Sequence, residues 1–214
     1  MVLGDYTIDS NVTLTSPNDS PTTNPSVRIV DNRSGSSLNS APNIPSGNTI
    51  NGVDIRGRNI GQVETYFMLD AISGATPIHG AGVYFRYIDA NNWYCAGIHR
   101  RSDIVTKTWF VIVNNAGIKS EIATGNISQT INDATWYKMR ITWWEATGQL
   151  FVRIEFSDNG GASWTQLNPG NTAHASNLHK SASNKIGWGA QNINLNGGAQ
   201  SYAVQFDDFR VYGA

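Results

Sequence analysis

An all-β fold, two antiparallel sheets packed face to face as a jelly roll, is the class that the sequence predicts, and three observations predict it. From residue 27 onward, short stretches of alternating polarity follow one another. Clusters of Gly, Asn, Asp and Ser separate them, and no segment carries a long helical stripe. Evenly spaced strands and turns without an internal repeat favour a sandwich over a propeller or a solenoid.

The elements can be taken in order. Residues 1–26 hold three prolines and few large apolar side chains, which predicts an extended N-terminal arm ahead of a sandwich spanning residues 27–214. Strands are expected at 26–32 (SVRIVDN), 62–71, 82–89 (GVYFRYID), 92–99, 104–114, 120–125, 136–144 (WYKMRITWW), 150–157 (LFVRIEFS), 184–191 and 201–213. Parity assigns faces. Tyr137, Met139, Ile141 and Trp143 point inward against outward Trp136, Lys138, Arg140, Thr142 and Trp144; Leu150, Val152, Ile154 and Phe156 also point inward. Val83, Phe85 and Tyr87 oppose Tyr84, Arg86 and Ile88. Hairpin turns are expected at HRRSD (99–103), EATGQ (145–149) and SDNGGASW (157–164).

The final stretch, AVQFDDFRVYGA, shifts its apolar parity from Val204 and Phe206 to Phe209 and Val211, the mark of a β-bulge at Asp207 and Asp208. A bulge turns the two carboxylates to opposite sides, so they cannot work together as acid and base on one face.

Only 14% of the 214 residues are charged, against about 25% in typical domains, so the surface is built from neutral polar groups, as suits an extracellular or particle-exposed protein. Basic residues number 15 and acidic residues 16, a formal net charge of −1, and the longest basic block is Arg100-Arg101; no footprint for nucleic acid is present. No apolar run is long enough to insert in a membrane, and MVLGDYTIDS lacks the basic and apolar regions of a signal peptide. Cys95, alone in NWYCAGI, reads as a small buried hydrophobe.

Catalytic signatures are sparse. Retaining glycosidases need two carboxylates about 5 Å apart on one groove face. Glu64, Glu121, Glu145 and Glu155 are instead isolated. Of the four histidines only His99 lies beside a basic pair, in an expected hairpin turn, and nucleophile elbows, phosphate loops and zinc spacings are absent.

The succession GVYFRYIDANNWYCAGI, WFVIVNNAGIKSEIA, ATWYKMRITWWEATGQLFVRIEFSDNGGASW, NKIGWGAQ and VQFDDFRVY resembles the concanavalin A-like lectin/glucanase superfamily over residues 62–213, in particular its laminin G-like and carbohydrate-binding-module branches. SDNGGASW is also similar to the Asp-box hairpin of sialidases, with Asn159 at the usual Asp position. The resemblance implies a jelly roll whose relatives include lectins, glycosidases, polysaccharide lyases, adhesion modules and virion proteins. It also implies a structural calcium held by Asp207 or Asp208 with Asp31, Asn32 and nearby carbonyls. The opposing expectation is a carboxylate pair bonded to Arg28, Arg210 or loop amides.

Two surfaces present themselves for a glycan or polysaccharide. One is the outward pair Trp136 and Trp144 beside Lys138 and Arg140; the other mixes Tyr84, Arg86, Asp89, Asn91, Asn92, Trp93 and Tyr94. Three functions follow: a non-catalytic lectin-like module; a structural or decoration protein of a virus particle or surface assembly, with the arm clasping a second copy; and a polysaccharide-degrading enzyme. The missing acid pair places the enzyme last.

Overall fold

The computed structural model describes residues 6–7, 12–15, 21, 27–31, 38–50, 52–70, 78–100, 107–193 and 202–212. In chain order the strands are β1 (Tyr6–Thr7), β2 (Val12–Thr15), β3 (Val27–Asp31), β4 (Leu38–Pro45), β5 (Thr49–Ile50), β6 (Val53–Asp54), β7 (Gly61–Leu69), β8 (Ile78–Asp89) and β9 (Asn92–Arg100). They continue with β10 (Lys107–Asn115), β11 (Ile118–Asn126), β12 (Tyr137–Ala146), β13 (Gln149–Ser157), β14 (Thr165–Gln166), β15 (Thr172–His174), β16 (Lys185–Ile193) and β17 (Tyr202–Tyr212).

Two antiparallel sheets form the sandwich. The first runs β1-β4-β16-β8-β9-β10-β11, and the second β14-β13-β12-β7-β17-β3-β2 with β15 also on β13. All ten strands expected from the sequence are present. Parity missed the short strands β1, β2, β5, β6, β14 and β15 and, longest of those missed, β4, because LNSAPNIP carries two prolines and little alternation; its backbone pairs with β16 all the same. Of the lead segment, residues 6–7 pair with β4 and residues 12–15 with β3; the remainder of the expected arm lies outside the described residues, as does most of the turn expected at 99–103.

The core follows the parity of the second sheet. Val63, Phe67, Met139, Ile141, Trp143, Val152, Ile154 and Phe206 meet Val83, Phe85, Tyr94, Ala96, Val111 and Trp188 of the first sheet between the layers. Turn chemistry also agrees: Thr147 and Gly148 both take positive φ (52° and 77°), which closes the β12–β13 hairpin with the twist its strands need. In the 157–164 hairpin the Asn159 side chain accepts the Ser163 N–H and donates to the Ser163 hydroxyl, while Trp164 packs back beside Gly161. Asparagine thereby fills the Asp-box position as a turn device.

The bulge in β17 is present. Its pairing with β7 shifts register between Asp207 and Arg210, and Asp208 sits at φ 47°. Asp207 is buried, whereas the Asp208 carboxylate accepts from Arg210 Nε at 2.8 Å.

The first sheet differs from expectation on its outer side. Tyr84, Trp93, Cys95, Phe110, Ile112 and Ile44 form a second buried cluster there, so Tyr84 and Trp93 are packed inside rather than displayed. Tyr84 meets Trp93 edge to face at 5.1 Å, and its hydroxyl donates to the Ala190 carbonyl. Burial pushes the Cys95 thiol up, consistent with an inert packing role. His99 is likewise corrected: it lies in β9, 1% exposed and stacked on Phe110 at 3.8 Å, not at a hairpin tip. The signal for this was the near-continuous apolar runs WYCAGI (93–98) and WFVIV (109–113), since strands buried on both faces lose their alternation, and a reading by parity alone passes over it. Trp188 is fully buried in the core against Phe209 at 4.6 Å.

Candidate functional site

One end of the outer face of the second sheet gathers exposed apolar groups. Gly61 pairs with Trp143, so the preceding Ile60 lies beside Trp144; Trp144 pairs with Phe151, and Phe151 with Ala173. Ile60 is 42% exposed, and Trp144 and Phe151 are half-buried. The rings of Trp144 and Phe151 stack at 5.6 Å with 14° between their planes, which joins them into one apolar shelf. Strands lie about 4.8 Å apart, so the row Ile60, Trp144, Phe151 and Ala173 runs about 14 Å across the sheet.

A polar row lies alongside. Tyr212 pairs with Gln62, Gln62 with Thr142, and Thr142 with Arg153. Arg153 donates Nε to the Asn171 side-chain oxygen at 3.0 Å, and its guanidinium lies 5.7 Å from the Trp144 ring centre. Asn171, held at φ 63°, also accepts from Gln166. An apolar shelf bordered by amide, hydroxyl and guanidinium groups matches the two faces of a sugar ring, whose C–H side is apolar and whose hydroxyls want planar polar partners.

A buried network under the shelf holds it in place. A bulge in β8, with a register shift between Phe85 and Asp89 and φ 48° at Arg86, turns Arg86 out of the parity expected for it and into the end of the sandwich. All five of its N–H groups are used: two on the Asn59 carbonyl, one each on Asn177 and the Leu178 carbonyl, and one on Glu145. Lys180 also grips Glu145. Desolvation works to raise the Glu145 carboxyl, but the Lys180 hydrogen bond and the Arg86 charge together outweigh it and hold the carboxyl below its ordinary range.

Tyr94 completes the network. Its hydroxyl accepts the Leu178 N–H at 3.0 Å and shares a hydrogen bond with Nδ1 of His174 at 2.7 Å, while His179 Nε2 donates to the Asn114 carbonyl. Burial raises the Tyr94 hydroxyl to about 12 and pushes both histidines below their ordinary 6.5, so they sit neutral. These residue types, Tyr, His, Arg and Asn, are those a polysaccharide lyase would need, and the sequence did not bring His174 and His179 together with Arg86. The side chains of Arg86 and Tyr94, however, are fully buried, so the cluster acts as a clasp between β8, the β12–β13 hairpin and residues 174–184.

That clasp has a pH dependence. A histidine depressed in the folded state stays neutral after the unfolded chain has begun to take up protons, so stability is full above pH 6.5 and is lost as pH falls through the folded-state values. The urea midpoint is expected to be higher at about pH 8 than at about pH 5.5, with a smaller difference in a His174→Phe/His179→Phe double variant. A midpoint that rises on acidification would show that the histidines are not held neutral.

The residues expected at the two surfaces are thus dispersed. Trp144 keeps its outward place. Trp136 precedes β12 at the end remote from Trp144 and does not join the shelf. Arg140 is committed, with Nε and Nη2 on Glu64 at 2.8 and 2.6 Å, Nη1 near Glu155 at 3.6 Å and its face covered by Trp164 at 3.9 Å. Asn92 serves the β8–β9 turn by bonding Asp89 and the Ala116 N–H. Phe151, Arg153 and Ile60 were not anticipated, although outward parity of 150–157 already placed Phe151 and Arg153 on the face of Trp144.

The pair Glu64 and Glu155 flanks Arg140 from neighbouring strands, and both are engaged by that cation, whose face Trp164 covers. As for calcium, Asp208 is held by Arg210, the Asp31 side chain lies outside the described residues, and among the described residues no three His, Cys, Asp or Glu side chains converge. Two of the donors that the resemblance implies, the Asp31 side chain and Asn32, lie outside the described residues, so calcium rests on the resemblance alone.

No family model and no curated protein matches the sequence. Solved structures do. The carbohydrate-binding module CBM66 from Bacillus subtilis superposes with a TM-score of 0.55 at 12% identity, covering 97% of this chain and 94% of that one. The fold is an antiparallel jelly-roll sandwich. A GH16 enzyme of the Bacteroides ovatus mixed-linkage glucan locus gives 0.54 at 11% identity over 95% and 86% of the two chains. A legume lectin-like domain from Entamoeba histolytica gives 0.54 at 10% over 98% and 90%. The chain spans about a third of the GH43 protein from Bacillus licheniformis that it also matches, covering 33% of it. At these identities the likeness is one of fold, and it is shared by binding modules, lectins and glycoside hydrolases alike.

Proposed function

We propose that this protein is a non-catalytic carbohydrate-binding module, acting outside the cell or on a particle surface, that holds a glycan chain on the Trp144–Phe151 shelf. The observation that carries the reading is the apolar row itself, partly exposed and longer than one sugar ring, with a hydrogen-bonding row beside it. Two further features support a binding role over a catalytic one: Glu64 and Glu155 of that face are held in ion pairs, and the side chains of Tyr94 and Arg86 are buried. Fold-level likeness to CBM66 and to a lectin-like domain agrees with it.

Affinity electrophoresis against a panel of soluble polysaccharides tests the reading. Trp144→Ala should weaken binding at least about tenfold, the loss expected when a stacking aromatic is removed, while the half-exposed site limits the stability change to about 1 kcal/mol. Retardation that persists undiminished in the variant would place the glycan elsewhere.

A further inference from the structure

Cations and carboxylates around the shelf are unequally matched. Asp54 is held by Arg56, Glu145 by Arg86 and Lys180, and Glu64 and Glu155 by Arg140. Among the described residues neither Arg153 nor Arg58 makes a direct ion pair, although the Arg58 charge also reaches Asp54. Each uses Nε on a neutral oxygen, Asn171 for Arg153 and the Asp54 carbonyl for Arg58. The outer edge of each guanidinium is thereby left for a ligand. Arg153 borders the shelf in the polar row, and Arg58 lies in the open depression lined by Asp54, Arg56, Gly57, Asn59 and Ile60, whose last residue is the first of the apolar row.

Deepening the carbohydrate-binding reading, on which it rests, we propose that the ligand is an acidic polysaccharide, a uronate-bearing chain, with a sugar ring on Trp144 and Phe151 and a carboxylate on Arg153. A guanidinium fork meets a planar carboxylate with two parallel hydrogen bonds, a geometry no neutral hydroxyl reproduces. The Asn171 oxygen fixes the Arg153 fork in advance, which lowers the ordering cost of binding. Glu155, the nearest acid on the same strand, is already engaged by Arg140 and opposes the ligand less than a free carboxylate would. Arg58, at the far end of the row, supplies a second positive charge for a chain that carries more than one uronate.

Calorimetry with polygalacturonate and with the same polymer after carboxyl reduction tests this. The acidic polymer should bind about tenfold more tightly than the reduced one, the difference shrinking as salt screens it. Arg153→Gln should abolish that preference without changing the melting temperature, whereas Trp144→Ala should weaken both polymers. Equal affinity for the two polymers, an Arg153→Gln variant that keeps the preference, or a preference for dextran sulfate over both would overturn the proposal. Trp144-dependent binding of neutral glycans with no gain from uronates defeats this inference alone. A folded protein that binds none of the polymers defeats the carbohydrate reading as well.

Discussion

Replacing Arg86 with methionine is expected to destabilise the protein by about 3 kcal/mol, a fall of about 6–12 °C in melting temperature for a chain of this size. Removing one partner of a buried ion pair costs about 3–5 kcal/mol in general. The lower end applies here because Glu145 keeps Lys180 and its side chain remains 25% exposed, so its charge is not stranded. What the variant does strand are the Asn59 and Leu178 carbonyls and the Asn177 side chain, which lose their common donor in a part-buried site. Arg86→Lys should recover only part of the loss, since three donors on a single nitrogen cannot reach acceptors that the planar fork spans. Urea unfolding of both variants decides the matter: a loss below about 1 kcal/mol for methionine would mean that the clasp is incidental to the fold.

Trp143→Ala should cost about as much or more, about 3–5 kcal/mol, as for other large aromatics removed from a core. The Trp143 indole is fully buried, stacks on Phe85 at 4.8 Å and donates Nε1 to the Arg58 carbonyl at 3.1 Å. Gly61 leaves room for it: a methyl group there would come within 2.9 Å of the ring. The cavity left by alanine would lie directly beneath the strand segment that carries Trp144. Folded Trp143→Ala should therefore lose glycan affinity as well as stability, although Trp143 touches no ligand. The two readouts separate the roles: in Trp144→Ala affinity should fall with little change in the urea midpoint, and in Trp143→Ala both should fall. Unchanged affinity in folded Trp143→Ala would show that the shelf does not depend on the core beneath it.

Legibility in the sequence varied with how far apart the interacting residues lie along the chain. Strands 136–144 and 150–157, their facing, their hairpin and the bulge at Asp207 and Asp208 were all readable, because alternation, turn residues and a parity slip are local signals. The β4 strand was not, since backbone pairing with β16 sustains it against its own composition. Tyr84 and Trp93 were read as surface because sequence parity distinguishes two faces of a strand and does not say whether both are covered.

What the sequence by itself determined is therefore the jelly roll, the inward faces of its second sheet and the outward place of Trp144, all consequences of period-two patterning and local turn chemistry. Tertiary structure alone decided the candidate site. It set Phe151 against Trp144, brought Asn171 to Arg153, gathered Arg86, Tyr94, Glu145, His174 and His179 from four separate stretches, and closed Arg140 under Trp164. The physical reason is that a side chain's availability depends on which partners reach it across the sheets, and those partners are fixed by register and packing rather than by neighbours in the chain.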